Sequence, residues 1–272
     1  MNPIERNRVH RIGQQGPVLL YAHGFGCHQG MWAGITPAFQ GSYQQVLMDY
    51  TGSGPSQASI PFDARRYSRL EGYAQDLIEV CDALDVSAGV TLVAHSVSCS
   101  IGLLAHLERP GLFERLILIG PSPCFLNHPP DYLGGFERAD LEGLLDLMDQ
   151  NYLGWASYLA PVVAGESGAN DARADLESSF CSTDPETARV FARATFFADN
   201  RAELPKVHCP SLILQHARDA LAPQAVGEYL HRQLAGSRYE LLDVSGHCAH
   251  MSHPALVIDA MRRYLATGGA AR

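Results

Sequence analysis

Val93 to Ser100 reads VAHSVSCS, and this stretch decides the fold. It closes a short apolar run, Val90 to Ala94 (VTLVA). It opens a segment in which Ile101, Leu104 and Leu107 share one helical face, ending before Pro110. A serine at a sharp strand-to-helix turn stands above the edge of a sheet, where its Oγ can attack a carbonyl. Such a turn needs small residues two places before and two places after the serine, because larger side chains collide with neighbouring backbone. The usual spelling is G-x-S-x-G. Here those places hold Ala94 and Ser98, so the requirement is met in size but not in glycine. Taken alone, the segment fits a nucleophile and a helix-capping serine equally well.

The flanking sequence supplies the context. Four more apolar runs have strand character: Pro17 to His23, Gln45 to Tyr50, Arg115 to Gly120 and Ser211 to His216. Each is rich in Val, Leu or Ile without polar alternation, the mark of strands buried on both faces of a parallel sheet. Tyr239 to Val244 and Val9 to Gly13 are weaker candidates. Helical stripes lie between the runs. Leu70, Tyr73, Leu77, Cys81 and Leu84 form one, Val226 to Leu234 another, and Leu256 to Leu265 a third. Alternating strands and helices predict an α/β fold built from right-handed βαβ units.

Residues 131–204 break the alternation. They show helical patterns, no convincing strand, and the aromatics Phe136, Trp155, Tyr158, Phe191, Phe196 and Phe197. Strands resume directly after Pro210. An all-helical insertion between two strands of one sheet is expected to act as a lid over a cleft, with half of these aromatics facing it. The expected organisation is one domain over 1–272, with a core of about 1–130 and 205–272 and a lid of about 131–204.

Composition narrows the function. A net charge of −9 argues against a nucleic-acid partner and against an anionic membrane surface. The N-terminal MNPIERNRVHRIG has no apolar core of signal-peptide length, and no run reaches the ~18 apolar residues of a membrane span. The seven cysteines are odd in number and contain no C-x-x-C pair, so reduced thiols and a cytoplasmic location are expected.

The partners of Ser96 decide between nucleophile and cap. A base must take the Oγ proton, and a carboxylate must orient that base. In this type of fold the chain order is serine, acid, histidine. DVSGHCAHMSHP offers His247, His250 and His253, and His247 stands directly after the last strand candidate. HARDALAP sets Asp219 just after a strong strand. The rivals are Asp199, within the insertion, and Asp243, at a strand end. Asp219 is favoured. An oxyanion hole needs two N–H donors aimed at one point. Val97, after the serine, and Phe25, between the glycines of AHGFG, are the candidates, with the Phe25 ring roofing the pocket.

Other signals are weaker. The three histidines and Cys248 hint at a metal, but Gly246 and Pro254 make the stretch a loop and helix start, so no metal site is predicted. GSG at Gly52 to Gly54 lacks the third glycine of a dinucleotide site and reads as a turn. His95 adjoins Ser96, but its side chain is expected to point away from Oγ and to pack.

These residues resemble the α/β-hydrolase superfamily. More narrowly they look like the RsbQ group of bacterial stress regulators, and plant karrikin and strigolactone receptors belong to the same wider group. The resemblance rests on HGFGCHQGMW, DYTGSGPS, YAQDLIEVCDALD, GPSPCFLN, DYLGGFE, NYLGWA, FCSTDP, PSLILQ and GHCAHMSHP, from about His23 to Pro254. It implies a triad of Ser96, Asp219 and His247 under a four-helix lid, with Phe25, Phe136, Trp155 and Phe196 lining an apolar pocket. The group usually has GHSVG where this chain has AHSVS, a departure expected to slow turnover. It implies hydrolysis of a small apolar ester or lactone with no cofactor. It also implies a second reading, a sensor or regulator whose partner is a PAS-domain phosphatase.

Overall fold

A computed structural model describes residues 1–54, 60–165 and 170–267. The strands are β1 (His10–Ile12), β2 (Val18–Ala22), β3 (Gln44–Leu47), β4 (Val90–His95), β5 (Phe113–Ile119), β6 (Ser211–Arg218) and β7 (Ser237–Ser245). They form one sheet in the order β1-β3-β2-β4-β5-β6-β7. Every neighbouring pair is parallel except β1 with β3, where His10 faces Leu47 in antiparallel register. All seven expected strands are present.

The helices are α1 (Pro3–Arg6), α2 (Leu70–Ala83), α3 (Val97–Glu108), α4 (Arg138–Gln150), α5 (Tyr152–Ala164), α6 (Asn170–Ser182), α7 (Pro185–Phe196), α8 (Gln224–Gln233), α9 (Ala249–Ser252) and α10 (Pro254–Ala266). Strand residues alternate between two cores. Leu20, Ala22, Leu92 and Ala94 pack with α2, α3 and α8 on one face. Leu19, Tyr21, Val93 and Ile117 pack with α10 and with Trp32 on the other. All six residues of β4 are buried, in keeping with its mostly apolar sequence VTLVAH. β4 lies between β2 and β5 at the middle of the sheet. Its carboxyl end is therefore the centre of the edge at which parallel sheets bind ligands.

Between β5 and β6 the chain forms the four helices α4 to α7, from Arg138 to Phe196. Each start has a local cause. Glu137 and Asp140 form a reciprocal capping box on α4. Asn151 accepts from the Gly154 N–H at the head of α5. Asp184 accepts from the Thr187 N–H on α7, with Pro185 in the first turn. The insertion is tied to the core where α5 ends. The His247 N–H donates to the Val163 carbonyl at 2.7 Å. A Cβ on Gly165 or on Gly246 would collide with the other segment's backbone, so only glycine allows this approach.

Candidate active site

Ser96 follows β4 with φ 57° and ψ −124°, a conformation that side chains other than glycine rarely adopt. Its N–H donates to the Ile119 carbonyl at 2.9 Å, and its own carbonyl accepts from the Cys99 N–H at 2.9 Å. α3 starts at Val97, so the first turn of that helix faces the serine. Amides of a first helical turn have no intrahelical acceptor and can serve an anion.

The elbow replaces glycine with residues that fit. Ala94 is fully buried. The Ser98 hydroxyl donates to the His23 carbonyl and accepts from the Tyr50 hydroxyl at 2.9 Å. Ser98 therefore joins the start of α3 to the loop after β2.

Three loops from three parallel strands meet at Ser96. His247, after β7, has Nε2 2.7 Å from Ser96 Oγ. Its Nδ1 lies 2.7 Å from Asp219 Oδ2, after β6. Asp219 Oδ1 accepts from the Leu221 and Ala222 N–H groups at 2.9 and 3.1 Å. All three residues are buried. Burial works against the Asp219 charge. The His247 and His216 imidazoles beside it outweigh that penalty and hold the carboxyl well below the usual carboxylate range. An ionised Asp219 can only accept, so His247 carries its proton on Nδ1 and presents the Nε2 lone pair to the Ser96 O–H. The arrangement can move a proton from Oγ to Nε2.

The rival carboxylates are elsewhere. Asp199 pairs with Arg201 at 2.7 and 2.8 Å. Asp243 pairs with Arg218 at 2.9 Å and is exposed. His216 was not singled out in the sequence. Its Nδ1 stands 3.3 Å from Asp219 Oδ2, off the line of a hydrogen bond. The signal was its position three residues before the acid, in HARD.

His95 points away from Oγ. Its Nε2–H donates to the His247 carbonyl at 2.9 Å, and its ring lies between those of His247 and His250. Burial, then the neighbouring His250 and His247, push its pKa well below the ordinary histidine value. On the opposite side a Cβ on Gly24 would stand 2.5 Å from His95 Nδ1 and 3.3 Å from Ser96 Cβ. Glycine there lets the loop carrying Phe25 approach the serine.

The cavity over Ser96 is lined by Phe25, Phe125, Leu159, Val163, Phe180, Phe196 and Leu221, with His95, His247 and both Cys27 and Cys248. Phe25 and Phe196 line it directly. Trp155 and Phe136 stand one layer back. Trp155 supports the Phe25 ring at 5.9 Å, and Phe136 lies behind Phe125 at 6.5 Å. Of the six aromatics expected to divide between cavity and core, Phe196 alone lines the cavity. Tyr158 is exposed, and Phe191 stacks on Tyr73. The ring the sequence reading missed is Phe180.

Metal-type side chains converge in three places among the described residues: His95 with Cys248 and His250, Cys124 with His128 and Asp199, and His216 with Asp219 and His247. His253 belongs to none of them. No helix among the described residues is long and apolar enough to cross a membrane.

Residues 19–260 match the model of the alpha/beta hydrolase family. The chain belongs to that family. It is 38% identical over 259 residues to a "Probable esterase" of Oryza sativa subsp. japonica, covering 95% of this chain and 94% of that protein. It is 36% identical to "Karrikin insensitive 2 receptor CA" of Petunia hybrida, covering 96% of each. Among solved structures, this α/β-hydrolase resembles a hydrolase from Oleispira antarctica with a TM-score of 0.93 and 42% identity, over 97% of this chain and 96% of that one. Its relatives bear esterase and hydrolase names, the enzyme class expected from the elbow.

Proposed function

We propose that this α/β-hydrolase is a serine esterase that cleaves a small, apolar ester or lactone through Ser96, His247 and Asp219. The observation carrying the reading is the buried relay from Asp219 through His247 to Ser96, with two links of 2.7 Å. His247 Nε2 takes the Oγ proton as Ser96 attacks the carbonyl carbon. Phe25 and Val97 N–H groups stabilise the resulting oxyanion. His247 then protonates the leaving oxygen. Water, deprotonated by the same nitrogen, releases the acid and restores Ser96. The helices of 131–204 act as a lid that keeps bulk water out. No cofactor takes part in these steps.

A fluorophosphonate probe tests the reading. It should label the wild-type chain on Ser96 and leave Ser96→Ala unlabelled. A folded wild type that resists the probe would remove Ser96 from the chemistry.

A second reading is favoured by the relative named a karrikin receptor. Here the same site senses a small ligand in the cytoplasm, and the lid surface meets a PAS-domain phosphatase, as the RsbQ-like resemblance implies. Co-purification of such a phosphatase only when ligand is present would support it. Rapid turnover of a common metabolite without any partner would count against it.

A further inference from the structure

The cavity over Ser96 is narrow. It offers about 20 Å³ to the centre of a water molecule. A single water needs about 10–15 Å³ on that scale, so no ester fits until part of the wall moves. A surface cleft ten times larger, about 200 Å³, adjoins it. Cys27 borders both spaces. On α6, Leu176 and Ser179 line the cleft and Phe180 lines the cavity. These three positions share one helical face, so Phe180 stands at the partition.

The partition is a side chain on a fixed backbone. The Ser179 hydroxyl donates to the Gly26 carbonyl at 2.7 Å, and the Tyr152 hydroxyl donates to the Phe180 carbonyl at 2.7 Å. The Phe180 ring occupies the space that a Cβ on Gly26 would fill. Its other ring neighbour is Trp155 at 5.6 Å. Rotation of one ring can therefore join the two spaces without unseating α6. The rest of the wall is less free. His95 ends β4 beside Ser96 and Cys248 follows His247, so both are held by the segments that carry the triad.

We propose that Phe180 is the gate of the Ser96 cavity and that the cleft between residues 27–31 and α6 is the ligand's entry. The cleft rim carries His28, Asp175 and Ser178, which suit a polar group, and the Asp175 carboxylate disfavours an anion. The matching ligand is an uncharged ester or lactone with a compact apolar part beside Ser96 and a polar part in the cleft. This rests on the esterase reading above.

Two fluorophosphonates test it, one with small alkyl groups and one with a bulky aromatic group. The readout is the ratio of their labelling rates on Ser96. Phe180→Ala should raise the bulky-to-small ratio by about tenfold or more. Phe180→Leu should raise it less and serves if the alanine variant does not fold. Ser178→Trp, at an exposed position, should fill the cleft and lower the ratio by about fivefold or more. An unchanged ratio in folded Phe180 variants, or in Ser178→Trp, overturns the gate while leaving the triad intact. If neither probe labels the wild type, the esterase reading fails and the gate is read from anilinonaphthalene fluorescence. Binding should rise with Phe180→Ala and fall when Ser178→Trp is added. Equal binding by all variants overturns it.

Discussion

Ser96 holds a left-handed backbone so that its Oγ can face His247, and that posture costs stability. A non-glycine residue in such a region costs about 1–3 kcal/mol. Ser96→Gly and Ser96→Ala should both be inactive, yet they should differ in stability. The glycine variant should melt higher than the alanine variant, because only glycine relieves φ 57°. Equal melting temperatures would mean that the elbow stores no strain. Asp219 makes a second case. An asparagine there keeps the shape but no longer fixes the proton on His247 Nδ1. Asp219→Asn should lower kcat by about 10³–10⁴-fold, as loss of tautomer control does in other serine triads. Asp243→Asn should leave kcat unchanged, because this exposed carboxylate pairs with Arg218, away from the relay. The reverse pattern would reassign the acid.

The elbow is where the sequence reading and the structure diverge most usefully. Read as a motif, Ser98 is a substitute for glycine that should slow the enzyme. In the fold it bonds the His23 carbonyl and receives the Tyr50 hydroxyl, both buried. Restoring the usual glycine with Ser98→Gly should therefore destabilise the chain by about 1–3 kcal/mol, since Tyr50 loses its acceptor. That corresponds to a drop in melting temperature of several degrees, readable by calorimetry. A higher melting temperature would show that serine is only tolerated there. Strands and core helices were legible because burial on both faces leaves continuous apolar runs, and burial on one face leaves a 3.6-residue stripe. The relay was legible because Ser96, Asp219 and His247 each follow a strand, and parallel strands bring their carboxyl ends to one edge. The cavity wall was not. α5 reads YLGWASYLAPVVA, apolar on nearly every side, so its sequence does not say which face turns to Ser96. Trp155 turned to the second layer, while Leu159 and Val163 turned to the cavity. On the otherwise polar α6, Ala172, Leu176 and Phe180 mark a buried stripe, but only the fold shows that Phe180 meets Gly26 and the cavity.

At the scale of the whole molecule, the packing that buries the site also buries histidines in neutral form. His23 receives the Tyr50 N–H on Nε2 at 3.1 Å and has Nδ1 2.8 Å from the Gly24 carbonyl, so no site is left for a second proton. Among the described residues His250 has no hydrogen-bond partner on either nitrogen, and it lies against Trp32. His95 spends Nε2–H on the His247 carbonyl. Burial comes first among the causes that lower all three pKa values, with His216 and His247 adding to it at His250. The sign follows from linkage. Above the unfolded histidine pKa of about 6.5, neither folded nor unfolded chain protonates these rings, and their contribution to stability is complete. Below it the unfolded chain takes up protons that the folded chain refuses, so stability falls as the pH falls. Each such histidine contributes a slope of about 1.4 kcal/mol per pH unit, and three approach about 4. The depressed Asp219 carboxyl adds its own loss only below the unfolded carboxylate pKa of about 3.9. Urea unfolding at pH 7.5, 6.5 and 5.5 should show a free energy that is level at first and then steepens downward. His250→Phe, which keeps the contact with Trp32, should reduce the low-pH slope by one proton. A wild-type profile that stays flat to pH 5.5 would mean that these rings accept protons inside the fold.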